Sequence, residues 1–406
     1  MPKKKLLVVT SGYERWLNDA QYKSDFIVKL TKKLSEYFEV VVLAPIDKGA
    51  QPVETIDGIK IYRHKQYFTA NLGIAYGSGI IPNIKKNKKL ALLIPFYLLY
   101  QFIDLVKIVR SEKIDIIQAH WIIPQGFIAI LYKLLFNRKI NVQVAILGSD
   151  INSFDNFIGK ALIRFTVKFS DGISTVSNFS QGQIASMGYN KEIAICPMGV
   201  DSSVFNPDKR AEEIRNKLKV KKDLIVFVGR IVEDKGIRYL IQAIPDIIKS
   251  CPETKLAVIG SGNLLDEMKA LTERLKISEN VVFLGRVSDE DLPYYFACSD
   301  IFILPSFNEG FPLVVEEALS SGTICVVSDI PVFKDFNQTS DLLVLIEKMN
   351  SKDIAQKVLD IIHNKNKYEG LRQKGRDYAV NNLDWNIIAL KYNELLNRIF
   401  KNDVLK

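Results

Sequence analysis

The sequence predicts an α/β chain of two doubly wound domains, and three observations carry that expectation. Short apolar, β-branched runs recur along the whole length. The stretches between them repeat with helical periodicity, and a turn-rich segment bounded by prolines divides the runs into two sets. A chain of 406 residues is nearly three times an ordinary domain of ~150, which leaves room for two or three domains.

In the first half the expected strands are Leu6 to Thr10, Val40 to Leu43, Ile59 to Tyr62, Ile114 to Gln118, Val142 to Leu147, Ile173 to Val176 and Ile193 to Cys196. The first run follows three lysines, but it is too brief for the apolar core of a signal peptide and runs into Ser11-Gly12-Tyr13, so it reads as a strand. The most apolar stretch, Leu90 to Ile103, is interrupted by Pro95 and followed by Asp104 and Lys107, short of the ~20 residues a spanning helix needs. The expectation is a cytoplasmic chain that at most rests on the inner face of the cell membrane. Lys85, Lys86, Lys88 and Lys89 before Leu90 suit either anionic lipid or a solvated lead-in to a buried helix.

Pro197 to Pro207 is the expected linker. Beyond it the strands are Leu224 to Val228, Leu256 to Ile259, Val281 to Leu284, Ile301 to Leu304, Ile324 to Val327 and Leu342 to Ile346, and from Lys352 to Lys401 only helical pattern remains. The expected division is 1–200, 201–380 and a terminal helix, 381–406, packing back on the first domain.

Composition narrows the function. Fifty-five basic against 46 acidic residues give a net charge of +9, and the basic runs are scattered rather than gathered into the stripe that a nucleic-acid protein presents. The cysteines, Cys196, Cys251, Cys298 and Cys325, have no Cys-x-x-Cys spacing, and no two of His64, His120 and His363 have the helical spacing of a metal pair. No structural metal is expected.

The most informative segment is Ile301 to Leu319. A buried strand ends at Pro305, a polar loop follows, and Pro312 sits where a helix begins, its missing N–H costing nothing there. That helix end suits an oxyanion. The same region carries Glu309 and Glu317, which repel phosphate but accept hydrogen bonds from hydroxyls, so the pattern fits a ligand with both polyol and phosphate. Glu316 points about 100° from Glu317 and reads as structural. In a second loop, Gly229 to Gly236, Arg230 and Lys235 can aim at one anion. Alone, that loop reads first as a solvated turn salt-bridged with Glu233 and Asp234. The Val-Gly-Arg end of this strand is echoed at Leu284-Gly285-Arg286, and strand ends of an open parallel sheet line its ligand crevice.

Together, Gly229-Arg230 through Lys235-Gly236, the Glu-x7-Glu of Glu309 and Glu317, and Ile195-Cys196-Pro197-Met198-Gly199-Val200-Asp201 before Phe205 resemble the retaining glycosyltransferases of family 4, with the GT-B fold. The resemblance implies two Rossmann-like domains facing across a cleft, an acceptor-side domain first and a donor-side domain second. It assigns Arg230 and Lys235 to the donor diphosphate and Glu317 to the ribose. Glu309, with the backbone of Gly310, Phe311, Pro312 and Leu313, falls to the transferred sugar, and Val287 to the base. In the first half, Asp115 to His120 resembles a strand ending in His-x-His, with Gln118 at the first position and His120 at the second, beside the transferred sugar. Gly12 is the one glycine of a loop that often has two, and Asp150 either meets the acceptor or caps a helix. The implied reaction uses a nucleoside-diphosphate sugar and a glycan or lipid-linked acceptor, with neither cofactor nor metal.

Two other readings are open to a basic Rossmann-like chain. An NAD(P)-dependent oxidoreductase would want Gly-x-Gly-x-x-Gly after a first strand; the loop at Ser11 lacks it, and Gly260-Ser261-Gly262 has Leu265 at its third position. A non-catalytic membrane-surface or nucleic-acid module explains the charge but not the acidic pair. Asp289-Glu290-Asp291 resembles a metal-binding Asp-x-Asp, yet Ser288 makes it a helix cap.

Overall fold

Every apolar run named above forms a strand in the computed structural model, which describes residues 3–16, 26–47, 49–64, 83–84, 87–148, 151, 156–310 and 312–404. The chain divides into two units. One comprises Met1–Val176, Ser180–Pro197 and Ile388–Lys406, the other Ser177–Phe179 and Met198–Ile387.

The first unit runs β1 (Lys5–Val9), α1 (Phe26–Leu34), β2 (Glu39–Pro45), β3 (Val53–Ile56), β4 (Ile59–His64), α2 (Ile94–Ser111), β5 (Ile116–His120), α3 (Phe127–Leu135), β6 (Asn141–Ile146), α4 (Phe157–Phe169), β7 (Gly172–Thr175), α5 (Asn178–Ser186) and β8 (Ile193–Ile195). Its sheet order is β3-β4-β2-β1-β5-β6-β7-β8, parallel except for the β3–β4 hairpin. Because side chains alternate across a strand, Leu7, Val9, Leu43, Ile117, Ala119, Val142 and Val144 share one face and one apolar core. The other face is buried too and holds polar groups, including Gln118, His120, Gln143 and Ser174. Burial on both faces is what makes these strands read as continuous apolar runs.

Two expectations need correction. β3 was not foreseen, since Val53-Glu54-Thr55-Ile56 alternates at a half-exposed edge and lacks an apolar run. Pro95 does not interrupt its stretch either. A 3-10 turn, Lys88–Leu93, leads directly into α2, and Pro95 occupies the first turn, where no hydrogen bond from its nitrogen is needed. The resulting Lys88–Ser111 run is long and apolar enough to cross a membrane by length and composition, with 28% of its most apolar window buried.

The second unit runs α6 (Glu212–Lys217), β9 (Leu224–Val228), α7 (Ile237–Ser250), β10 (Lys255–Ile259), α8 (Leu265–Arg274), β11 (Val281–Gly285), α9 (Leu292–Cys298), β12 (Ile301–Leu304), α10 (Leu313–Ser320), β13 (Ile324–Ser328), α11 (Pro331–Ser340), β14 (Leu343–Ile346), α12 (Ser351–His363) and α13 (Lys365–Tyr378), and holds the start of α14 (Trp385–Val404). Its six parallel strands lie in the order β11-β10-β9-β12-β13-β14. The covering helices follow the apolar period. In α7, Ile237, Leu240, Ile241, Ile244 and Ile247 are buried at spacings of three and four, each burial contributing roughly 1.5–3 kcal/mol.

Strand order sets where a ligand can sit. From β9 the chain steps outward to β10 and β11, then returns to the opposite side of β9 with β12. In the first unit the same reversal falls between β1 and β5. Loops diverge at such a point and leave a crevice at the carboxyl ends of the strands.

Candidate functional site

In the second unit the loops after β9 and β12 flank the reversal, and they are the two loops that carry the sequence motifs. They are joined through both backbone and side chains. Phe307 N–H donates to the Asp234 carbonyl at 2.8 Å, and the rings of Tyr239 and Phe307 meet edge-on at 5.9 Å. Gly236, in the left-handed region at φ 66°, lies against Pro305, whose carbonyl oxygen would be 2.0 Å from an added Cβ. The β10 loop is stitched in from the other side: Ile231 N–H donates to the Ser261 carbonyl at 2.9 Å and Leu264 N–H to the Ile231 carbonyl at 3.1 Å.

This stitching explains the glycines that invite a dinucleotide reading. A Cβ on Gly260 would sit 1.9 Å from the Gly229 oxygen and one on Gly262 2.1 Å from the Ile231 oxygen. The room those glycines make is taken by the backbone of the neighbouring loop.

Lys235 and Glu309 form an ion pair across the two loops, with side chains 17% and 9% exposed. The alternative pairing of Lys235 with Glu233 or Asp234 is not made among the described residues. Glu233 faces Arg238 at 3.7 Å instead. A half-buried ammonium and carboxylate held together in this way answer each other's charge. A ligand that brings both an anion and hydroxyl donors can satisfy both groups at once, whereas a bare phosphate would leave the acid repelled.

Arg230 is exposed at the carboxyl end of β9. Pro312 is the residue preceding α10, in an extended conformation with no side-chain cap, so the first amides of α10, Leu313 and Val314, have no partner within the helix. Gly310, Leu313 and Glu317 are half-buried there, while Glu316 is buried on a different flank, where its charge reaches Tyr378. Val287 is half-buried just past β11, two strands from β9. Ser288 Oγ donates to an Asp291 carboxylate oxygen at 2.7 Å and accepts from Asp291 N–H at 3.1 Å, but these bonds close a turn ahead of α9, whose preceding residue is Asp291 with no side-chain cap, so the expected Ser288 cap is not formed. Phe311 and Asp150 lie outside the described residues.

In the first unit, Gly12 and His120 follow or end adjacent strands, β1 and β5, paired in register through Val9 and Ala119. Gly12 N–H donates to Thr10 Oγ1 at 3.3 Å, and a Cβ on Gly12 would meet nothing within 4 Å. His120 is completely buried, its ring edge-on to Phe26 at 5.7 Å, and neither ring nitrogen has a hydrogen-bond partner among the described residues. Burial alone pulls its pKa down to about 3, so the ring is neutral over the physiological range.

Two side chains that the sequence reading missed hold this loop. With its amide oriented to satisfy both groups, Gln125 donates to the His120 carbonyl and accepts from Ser11 N–H, each at 3.3 Å. Arg63, next to last in β4 with no exposed side-chain surface, donates to the Glu14 carbonyl and, at 2.6 Å, to Glu54. Nothing local in the sequence marks either contact, because each partner lies on a different element.

Residues 208–378 match the family described as Glycosyl transferases group 1, and residues 26–204 match Glycosyltransferase Family 4; the two matches together span most of the chain. N-acetyl-alpha-D-glucosaminyl L-malate synthase of Bacillus anthracis is 22% identical over 74% of this chain and 78% of its own length. The GDP-mannose-dependent alpha-(1-6)-phosphatidylinositol monomannoside mannosyltransferase of Mycobacterium tuberculosis is 22% identical over 59% of this chain and 65% of its own. Among solved structures, sucrose-phosphate synthase of Thermosynechococcus elongatus superposes with a TM-score of 0.77 at 17% identity, covering 98% of this chain and all of that one. That likeness, with the two parallel sheets, gives the fold as GT-B.

Proposed function

The chain belongs to glycosyltransferase family 4, and on that footing we propose that it moves a sugar, of the hexosyl type, from a nucleoside diphosphate to an acceptor hydroxyl, with retention at the anomeric carbon and without a metal. The observation that carries the reading is the Lys235–Glu309 pair at the strand-order reversal of the second unit, where one cation and one acid from separate motif loops meet. A sugar diphosphate is the ligand chemistry that satisfies both.

In this reading Arg230 and Lys235 hold the diphosphate, and the amino end of α10 adds its partial positive charge as the leaving group gains negative charge. Those fixed charges do the work a divalent ion does elsewhere. Glu309, with the amides of Gly310, Phe311 and Leu313, orients the sugar. Glu317 accepts from the ribose hydroxyls, and the backbone at Val287 lies along the base. His120, neutral and unable to donate from both nitrogens, serves as a polar contact rather than an acid. The departing diphosphate oxygen takes the proton of the incoming hydroxyl on the same face as the bond that breaks.

The acceptor is a glycan or a lipid-linked glycan. A relative named for transfer to a phosphatidylinositol monomannoside supports the lipid-linked form, and one named for transfer to malate shows how far acceptors diverge among relatives. A cytoplasmic protein at the inner membrane face fits this reading.

The test is a panel of nucleotide sugars with purified protein, with and without a chelator. Slow donor hydrolysis, insensitive to chelator and giving the retained anomer by NMR, is expected. An inverted product, activity abolished by chelation, or a trapped covalent glycosyl-protein adduct would each overturn the mechanism.

A further inference from the structure

The helical run Lys88–Ser111, a 3-10 turn followed by α2, has two flanks of different character. Tyr97, Gln101, Leu105, Ile108 and Val109 are buried in the first unit, whereas Leu92, Leu99 and Ile103 are 77%, 51% and 37% exposed. Spaced seven and four residues apart, these three fall on one face of the helical run. The end of α3 extends the apolar surface: Leu135 and Phe136 are 67% and 48% exposed, and the Phe136 ring stands 5.9 Å from Phe102 of α2.

The rim of this surface is basic. Lys88 and Lys89 are exposed before α2, Lys107 and Arg110 continue the outward face at its far end, and Arg138 and Lys139 follow Phe136. The Arg110 guanidinium lies 5.3 Å above the Phe136 ring. One acid lies within the surface, the half-buried Asp104, 3.6 Å from Lys107.

We infer that this face, centred on Leu92, Leu99, Ile103, Leu135 and Phe136 and ringed by six cations, docks the first unit on an anionic lipid bilayer. Large apolar side chains exposed together mark an interaction surface, and cations around an apolar centre match phosphate headgroups above acyl chains. The helix lies along such a surface and cannot cross it, because its other flank belongs to the core of the unit. A second copy of the chain is the poorer occupant, since a two-fold contact brings six cations against six.

The test uses the full chain with vesicles of phosphatidylglycerol and of phosphatidylcholine in flotation. Binding to phosphatidylglycerol, weakened by salt and released by alkaline carbonate, is expected, with little binding to phosphatidylcholine. K88E/K89E should weaken it about thirty-fold or more, at roughly fivefold per lysine. L92Q/L99Q, whose side chains touch solvent, should fold with an unchanged melting temperature, lose roughly tenfold or more in binding, and keep donor hydrolysis. An environment-sensitive dye on Leu99→Cys should shift to the blue with phosphatidylglycerol only. Equal binding to both lipids, no flotation, resistance to carbonate, or unchanged binding in both double variants overturns the inference. So does a dimer in solution that L92Q/L99Q dissociates. Loss of donor hydrolysis in L92Q/L99Q would count against the separation of this face from the sugar chemistry.

Discussion

At the reversal between β9 and β12 the loops carry full charges, Arg230, Lys235 and Glu309, whereas β5, at the corresponding point of the first unit, ends in His120, a base that burial keeps neutral. The backbone differs in the same sense. A Cβ on Gly236, Gly260 or Gly262 would meet the carbonyl of a neighbouring loop, while one on Gly12 would meet no described residue within 4 Å. One strand order thus supports two chemistries: an ionic rim suited to a charged leaving group, and a strand end closed by a buried, neutral histidine.

The largest test of that contrast is functional. Lys235→Ala and Glu309→Gln should each lower donor turnover by roughly a hundred- to a thousandfold, about 2.7–4 kcal/mol, the scale measured for removing one preorganised electrostatic contact. The charge swap Lys235→Glu with Glu309→Lys sharpens the comparison, because it restores an ion pair without restoring the cation to its loop. Thermal unfolding should return toward that of the parent protein while turnover stays low. Recovery of turnover in the swap would show that the pair is structural only.

Glycine substitutions compare the two backbones directly. Gly260→Ala forces a Cβ to 1.9 Å from a carbonyl oxygen at φ 137°, and should cost about 2 kcal/mol or more in denaturant unfolding. Gly12→Ala meets no atom within 4 Å and should cost less than about 0.5 kcal/mol. A raised KM for donor in Gly12→Ala, with stability unchanged, would locate a ligand beside Gly12.

Acid separates the units next. His64 and His120, both in the first unit, are buried and have pKa values lowered from 6.5 to about 3 by desolvation. Above pH 6.5 they are neutral folded or unfolded. As pH falls below that, the unfolded chain takes up protons the folded one cannot hold, so stability is lost between about 6.5 and 3, at up to about 1.4 kcal/mol per pH unit for each histidine. His363, in the second unit, is exposed. Hydrogen exchange from pH 7 to 5 should therefore show the first unit loosening first, and His64→Phe, which keeps a ring against Tyr97, should remove about half of that slope. Gln125→Ala should cost about 1 kcal/mol in unfolding, from the two backbone groups its amide serves.

The sheets were legible because buried parallel strands have no polar alternation to hide them, and the start of α10 was legible from Pro312, which directly precedes it. β3 was not, since four residues on a half-exposed edge lack such a run. Motif spacing pointed to Lys235 and Glu309 separately. Their pairing spans 74 positions and exists only because β12 returns beside β9, which no local pattern encodes. His120 was visible as a strand end, but not its neutrality, which depends on how Phe26 and the strands around it close over the ring. Arg63 and Gln125 act on loops distant in sequence and gave no signal.

Helix α14 begins in one unit and ends in the other. Trp385 packs on Gly199 of the second unit, while Tyr392 is wholly buried beside Ser174 and Ile399 fills the space over Gly172, both in the first. During synthesis, then, the unit translated first is completed last: β7 of its sheet waits, with Gly172 and Ser174 uncovered, until residues 388–404 leave the ribosome. Any deletion near the carboxyl terminus should be felt as a defect in the amino-terminal half.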